Sequence, residues 1–217
     1  MNKEWTSIER AVADGIFHVG AVKFGAFKLK LHEKNPDAPL SPIYVTLRKP
    51  PDGPLTDENV EAIGQELYDL VQRKKILFDI VSGIPRAGEP FAVVIARLSG
   101  KPLLKLGKKE EGGTRKIDSV VSEGCRPGQL VLLVDDLITK ADTKKEAIAV
   151  CEEAGLVVAG LVVLVDREQG GSDELREDGY SLYAAFPLSE LLDYYVQANL
   201  LTPEKRDEVM AYIKANS

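Results

Sequence analysis

Residues 130–143 constrain the fold of this chain most strongly. The apolar run Leu-Val-Leu-Leu-Val at 130–134 is followed at once by two acids, Asp135 and Asp136, and a helical pattern covers 143–154. This order is typical of a buried parallel strand that delivers carboxylates to its C-terminal end, where open α/β sheets bind ligands. The acids suit ribose hydroxyls or a metal-bound phosphate ester, and the turn 139–143 leads into a helix N-terminus that favours an anion. The alternative is a strand that ends in solvated acids before an ordinary capped helix.

The rest of the chain alternates between strand and helix patterns. Helices are predicted at 4–19, 88–98 and 143–154. Three more are predicted to begin at Thr56, Ser189 and Thr202. Strands are predicted at 24–31, 42–47, 76–81, 102–106, 130–134 and 156–165. Alternation of this kind predicts an α/β fold with a mainly parallel sheet and right-handed crossovers.

Composition narrows the class of protein. The 217 residues suffice for one large domain, and 44% hydrophobic with 29% charged residues is ordinary for a globular protein. A net charge of -6 disfavours nucleic acid as a partner, and no run resembles a membrane span or a signal peptide. Two cysteines, Cys125 and Cys151, suit a reducing cytoplasm, with Cys151 expected in the core. The two histidines do not form a protein-only zinc site.

Three further segments have residues suited to phosphate or carboxylate binding. Residues 81–88, Val-Ser-Gly-Ile-Pro-Arg-Ala-Gly, form a tight strand-to-helix turn that can present backbone N–H groups. Residues 101–116 hold six cations against two acids beside glycines, which favours a flexible loop that closes over a polyphosphate. In 166–171, Arg167 follows a buried strand and can grip a carboxylate in two bonds. Each segment has an alternative interpretation. Residues 81–88 could be a purely structural turn, and residues 101–116 a solvated surface loop. Arg167 could pair with Asp166 or a neighbouring acid.

Taken together, these segments resemble the orotate phosphoribosyltransferases of the type I phosphoribosyltransferase family. Residues 135–143, Asp-Asp-Leu-Ile-Thr-Lys-Ala-Asp-Thr, are similar to the family motif for phosphoribosyl diphosphate (PRPP), with Ala141 where glycine is usual. Residues 83–88 are similar to its pyrophosphate loop, Lys108-Lys109-Glu110 to its mobile basic loop, and Asp166-Arg167 with Gly170 to its Asp-Arg-x-x-Gly segment. Residues 22–30 and 41–48 resemble its N-terminal hood.

The resemblance implies a type I phosphoribosyltransferase fold with a small hood. It implies an N-terminal helix and hood at 1–50, a core at 51–187 and a C-terminal helical appendage at 188–217. It further implies a pentosyltransferase that converts orotate and PRPP to orotidine 5′-monophosphate and pyrophosphate in pyrimidine (UMP) biosynthesis. Mg²⁺ would be the cofactor, held mainly by substrate and by Asp135 or Asp136. The basic loop reaches a neighbouring subunit in this family, so a cytoplasmic homodimer with shared active sites is expected.

The resemblance also implies roles for individual residues. Asp135 and Asp136 would hold the ribose, and Lys109 would act with them in catalysis. PRPP would be bound by Arg86, Lys108, Lys109, Asp135, Asp136, Thr139, Lys140, Ala141, Asp142 and Thr143. Orotate would be bound by Lys30, Tyr44, Thr139 and Arg167. Two alternatives stay open: a phosphoribosyltransferase for another base, and a PRPP-binding regulator that has lost catalysis.

Overall fold

The computed structural model describes residues 4–28, 35, 37–111, 114–122 and 125–216. The helices are α1 (Ser7–His18), α2 (Asp57–Arg73), α3 (Glu89–Ser99), α4 (Asp142–Glu153), α5 (Gly171–Glu177), α6 (Leu188–Gln197) and α7 (Pro203–Ala215). The strands are β1 (Val22–Phe27), β2 (Ser41–Val45), β3 (Ile80–Gly83), β4 (Leu103–Leu104), β5 (Leu106–Glu111), β6 (Thr114–Val120), β7 (Leu130–Ile138), β8 (Val157–Asp166) and β9 (Leu182–Pro187).

A parallel sheet in the order β4-β3-β7-β8-β9 forms the centre of the described structure. The apolar run at the start of β7 makes it the middle strand, because Val131 to Val134 are fully buried and both sheet faces are covered. Successive side chains of a strand point to opposite faces. Accordingly, Leu132 and Val134 belong to one hydrophobic cluster, and Val131 and Leu133 to the other. The predicted α/β fold with a mainly parallel sheet is therefore confirmed.

Helix α2 forms where the sequence predicts it, after Thr56. The Thr56 side chain accepts a hydrogen bond from the Asn59 backbone N–H at 3.2 Å, and the Asn59 side chain accepts one from the Thr56 N–H at 3.1 Å. This reciprocal capping satisfies N–H groups that the first helical turn leaves free. Cys151 is fully buried in the cluster beneath α4, as predicted.

The N-terminal segments and the C-terminal helices pack together. Strands β1 and β2 form an antiparallel pair, which we call the hood. The Tyr195 hydroxyl of α6 donates to the Ala13 carbonyl of α1 at 3.0 Å, and α7 packs against β2 and α6. The two terminal segments therefore cover the same side of the sheet. None of the described helices is long and apolar enough to cross a membrane.

Several predicted boundaries were wrong. The strand predicted at 76–81 begins only at Ile80, because residues 76–79 follow the end of α2 as a connection. The strand predicted at 130–134 continues to Ile138, since the β7 ladder with β8 extends through the two acids. Helix α5 and strand β9 were missed. The sequence signal for β9 is the short run Leu-Tyr-Ala-Ala-Phe at 182–186, which lies at the sheet edge.

Candidate active site

A cavity of about 890 Å³ lies at the C-terminal edge of the parallel sheet. It is bounded by the hood on one side and by the loops after β3, β7 and β8 on the other. Most of the predicted site residues are among those that line it: Tyr44, Lys108, Asp135, Asp136, Thr139, Lys140, Thr143 and Arg167. Residues that the sequence reasoning missed also line it: Lys28, Thr46, Arg48, Asp52 and Lys144.

The acid pair on β7 is buried and partly neutralised. The Lys144 ammonium in the first turn of α4 lies 2.7 Å from Asp135 Oδ2 and donates to the Leu137 carbonyl at 2.6 Å. Both side chains of this ion pair are only 7% exposed. Asp136 has no such partner among the described residues, and burial followed by repulsion from Asp135 raises its pKa to about 8. The cavity floor therefore presents one paired carboxylate and one that favours its protonated form.

The turn between β7 and α4 lies beside the cavity and leaves the first turn of α4 without a side-chain cap. Ala141 is the residue before α4, and no side chain caps the helix, so no described side chain competes for its first N–H groups. The Ala141 φ of -86° is ordinary for any residue, and its side chain is fully buried. Alanine is thus accommodated at this position without backbone strain. Ala141 and Asp142 are not among the residues that line the cavity, whereas Thr139, Lys140 and Thr143 are.

Two glycines set how closely the neighbouring loops approach β7 and the turn that follows it. A Cβ on Gly88 would lie 2.0 Å from the Val134 carbonyl oxygen. A Cβ on Gly171 would lie 2.9 Å from the Thr139 carbonyl oxygen, and the Gly171 N–H donates to that oxygen at 3.2 Å. Neither position leaves room for a side chain, so the loop after β3 is held directly against β7 and the loop after β8 against the turn.

Arg86 and Lys109 lie outside the main cavity. Arg86 is exposed and lines an adjoining cleft of about 160 Å³ together with Arg48, Lys49 and Asp52. Lys109 is exposed on β5, while its neighbour Lys108 lines the main cavity and donates to the Pro85 carbonyl at 3.2 Å. Lys30 lies outside the described residues.

The basic segment is a hairpin rather than the predicted flexible loop. Strands β5 and β6 pair antiparallel, with Lys108 opposite Ile117 and Lys109 opposite Lys116. Leu106 and Ile117 are buried, and the Ile117 N–H donates to Glu146 of α4 at 3.2 Å. The apolar residues at 106 and 117 bury one side of the segment, and the many charges around them obscured this pattern in the sequence.

Arg167 follows β8 and is 8% exposed. Its Nε and Nη2 atoms are buried and have no hydrogen-bond partner within the described ranges. The alternative of pairing with Asp166 is wrong, because that carboxylate accepts from the Glu168 N–H and from the Ser172 hydroxyl. Burial lowers the pKa of the Arg167 guanidinium, and the phenol of Tyr212 opposes this effect. A buried cation with free donors, at the wall of a cavity, is a binding group for an anion.

The missed cations have different sequence signals. Lys144 directly follows the phosphate-type turn and would lie on the inner side of α4, which its helical register could have revealed. Arg48 follows β2 and Lys28 follows β1, and neither has a local pattern that distinguishes it from a solvated strand end. Only the fold brings the hood over the sheet edge and places these cations at the cavity.

Comparison with known proteins is consistent with this geometry. A family model described as "Phosphoribosyl transferase domain" matches residues 55–180. An orotate phosphoribosyltransferase from Sulfurisphaera tokodaii is 31% identical over 181 residues, which is 82% of this chain and 87% of that protein. Uridine 5′-monophosphate synthase from Bos taurus is 30% identical over 210 residues, and the match covers 95% of this chain but 41% of the synthase.

Two solved structures share the fold of this chain. Leishmania donovani UMP synthase matches with a TM-score of 0.74 at 29% identity, covering 97% of this chain and 43% of that chain. The orotate phosphoribosyltransferase from Aeropyrum pernix matches with a TM-score of 0.66 at 24% identity, covering 84% of this chain and 98% of that chain. The chain thus spans about two fifths of the synthases and most of the single-activity proteins.

Proposed function

Because the chain belongs to the orotate phosphoribosyltransferase family, we propose that it transfers the phosphoribosyl group of PRPP to orotate. The products are orotidine 5′-monophosphate and pyrophosphate, which places the reaction in pyrimidine (UMP) biosynthesis. A nitrogen of the orotate ring gives up its proton and forms the bond to C1 of the ribose, and the diphosphate leaves with the electrons of the broken C1–O bond. Positive charge develops on the ribose and negative charge on the leaving diphosphate, so catalysis requires positioned partners of both signs.

The observation that supports orotate as the base is the buried, unpaired guanidinium of Arg167 at the same cavity as the acid pair. Orotate has a carboxylate that can accept both free donors of Arg167. A purine has no carboxylate and would gain neither bond, each of which contributes about 1.5–3 kcal/mol. Tyr44 lines the cavity from the hood, 5.7 Å from the Phe27 ring between centroids, and we place it beside the base.

The ribose phosphate fits the other end of the cavity. We propose that Asp135 and Asp136 accept hydrogen bonds from the ribose hydroxyls. The N–H groups at 139–143 would donate to the 5′-phosphate at the start of α4, which favours negative charge. The Lys144 ammonium keeps Asp135 in place for this contact by its ion pair.

The diphosphate would face the cations around the cavity mouth. Lys28, Arg48 and Lys108 line the cavity itself, and Arg86 lines the adjoining cleft. Lys109 is exposed on β5 and does not line this cavity. We therefore propose that Lys109 acts in the active site of a second copy within a homodimer.

Magnesium fits this arrangement as a cofactor held mostly by substrate. Among the described residues, no group of three or more His, Cys, Asp or Glu side chains could form a protein-only metal site. Carboxylate oxygens beside a diphosphate are donors that Mg²⁺ commonly uses, so Asp135 or Asp136 would complete its coordination, and Asp136 would release its proton to do so. When bound, the ion neutralises charge on the diphosphate as it departs.

Two free cysteines, one fully buried, suit a cytoplasmic location.

The test is the consumption of orotate, followed by its ultraviolet absorbance after protein, PRPP and Mg²⁺ are mixed. We expect absorbance to fall only when all components are present, and we expect no release of pyrophosphate when adenine replaces orotate. Binding of PRPP without loss of orotate would favour a non-catalytic regulator. Turnover of another base in place of orotate would assign the chain to a different phosphoribosyltransferase.

A further inference from the structure

Glu168, the residue after Arg167, has an unusual backbone conformation. Among the described residues, three that are not glycine have a positive φ: Lys75, Glu168 and Asn199. Lys75 and Asn199 lie just after the last turns of α2 and α6, where a left-handed residue commonly ends a helix. Glu168 has a φ of 56° in the loop between β8 and α5, where no helix ends, so its strained conformation has another cause.

The side chain of Glu168 reaches the start of α6. One carboxylate oxygen accepts from the Ser189 backbone N–H at 2.6 Å, and the other accepts from the Ser189 hydroxyl at 3.0 Å. Helix α6 follows Pro187 and has no side-chain cap at its own N-terminal residue. Glu168 therefore supplies the missing cap from 21 positions earlier in the chain, and its negative charge suits a helix N-terminus.

Helix α6 is a rigid point of attachment. Leu188, Leu191, Leu192 and Tyr195 are fully buried in the main hydrophobic core. A group that is bound to the first turn of this helix is therefore fixed relative to the sheet.

The backbone around Arg167 is held on the sheet side as well. The Arg167 N–H donates to the Ile138 carbonyl of β7 at 3.0 Å, and the Glu168 N–H donates to Asp166 Oδ1 at 2.8 Å. The Arg167 Nε and Nη2 atoms have no hydrogen-bond partner among the described residues. The place of the guanidinium thus depends on the backbone that bears it, and that backbone lies between β7 and the contact of Glu168 with α6.

From this arrangement we infer that Glu168 is a positioning residue for the base. By fastening the loop after β8 to α6, it sets the point from which Arg167 reaches the orotate carboxylate. The inference rests on the proposed function, since it assigns the base end of that same cavity. It predicts that Glu168 affects orotate and leaves PRPP unaffected, because the proposed ribose and phosphate contacts come from β7 and the turn after it.

The experiment compares steady-state kinetics of the full chain with those of Glu168→Ala. Loss of both bonds to Ser189 should raise the KM for orotate about threefold to tenfold. The kcat and the KM for PRPP should stay within about twofold, the range of an ordinary surface change. Glu152→Ala is the matched control, because Glu152 is an exposed glutamate of α4 that accepts from the Tyr180 hydroxyl at 2.8 Å. It should leave all constants unchanged.

Further variants separate positioning from a general effect on stability. Glu168→Gln keeps an oxygen that can accept from the Ser189 N–H, so its orotate KM should stay within about twofold of wild type. Glu168→Gly loses the same bonds as Glu168→Ala without the penalty for a positive φ. It should therefore melt at a higher temperature than Glu168→Ala and still raise the orotate KM at least as much. Ser189→Ala should cause no further rise in the Glu168→Ala background.

The role of Glu168 is rejected by an unchanged orotate KM in Glu168→Ala, or by an equal rise in the KM for both substrates. It is also rejected if Glu168→Gly has the wild-type orotate KM, if Glu168→Gln is as impaired as Glu168→Ala, or if Ser189→Ala adds to Glu168→Ala. Failure of the wild-type chain to consume orotate is a different result, because it would reject the proposed reaction and this inference with it.

Discussion

Replacing Arg167 by Met should weaken orotate binding strongly and stabilise the folded protein at the same time. The side chain is 8% exposed, and two of its donors have no partner among the described residues. Methionine keeps much of the apolar length of arginine and removes the buried charge. The two effects have opposite signs because the same free donors cost stability in the empty cavity and gain affinity when a carboxylate enters it.

The magnitudes follow from the two donors. A hydrogen bond to a charged group contributes about 1.5–3 kcal/mol, so two such bonds to a carboxylate correspond to about 3–6 kcal/mol. This range is a loss of about 10²- to 10⁴-fold in kcat/KM for orotate. Removing buried unpaired donors should gain about 1–3 kcal/mol of stability. For a chain of this size, each kcal/mol shifts the melting temperature by about 2–4 °C.

The assay is orotate consumption at fixed PRPP, with PRPP binding measured by calorimetry and melting followed by circular dichroism. Arg176→Met is the matched control, since Arg176 is 74% exposed and pairs with Asp173 on the surface of α5. It should change neither kinetics nor melting. The reasoning is refuted if Arg167→Met leaves the orotate constants unchanged, or if it lowers the melting temperature and abolishes PRPP binding together.

Three further predictions concern the rest of the site. Lys144→Met leaves Asp135 buried without its partner, so urea unfolding at neutral pH should show a loss of about 3–5 kcal/mol, whereas a loss below about 1 kcal/mol would contradict the ion pair's importance. Because the pKa of folded Asp136 is raised from 3.8 to about 8, the folded state binds the extra proton and wild-type stability falls as pH rises through that window. Asp136→Asn should remove this pH dependence. The melting temperature of the variant minus that of wild type should therefore increase from pH 4 to pH 8. A difference that is constant with pH would contradict the raised pKa of Asp136. Lys109→Ala should lower turnover strongly with unchanged melting, because Lys109 is exposed on β5; unchanged turnover would remove Lys109 from the mechanism.

The family and the type I phosphoribosyltransferase fold were predictable from the sequence, and the comparisons confirm both. The local order of apolar run, acids, turn and helix at 130–154 reflects short-range physical requirements that a sequence displays directly. The division into hood, core and appendage stays a prediction.

The hairpin β5–β6 and the cations Lys28 and Arg48 could not be assigned in advance. Their roles depend on long-range packing: Ile117 is buried beside α4, and the hood crosses the sheet edge to bring Arg48 to the cavity. Charge and spacing along the chain do not report such contacts.

A crystal structure of this chain with orotidine 5′-monophosphate tests the central claim most directly, because one molecule spans both ends of the cavity. We expect its phosphate at the N–H groups of 139–143, its ribose hydroxyls at Asp135 and Asp136, and its carboxylate on the free donors of Arg167. A nucleotide bound elsewhere, or bound with its carboxylate away from an Arg167 that stays unpaired, would contradict the account.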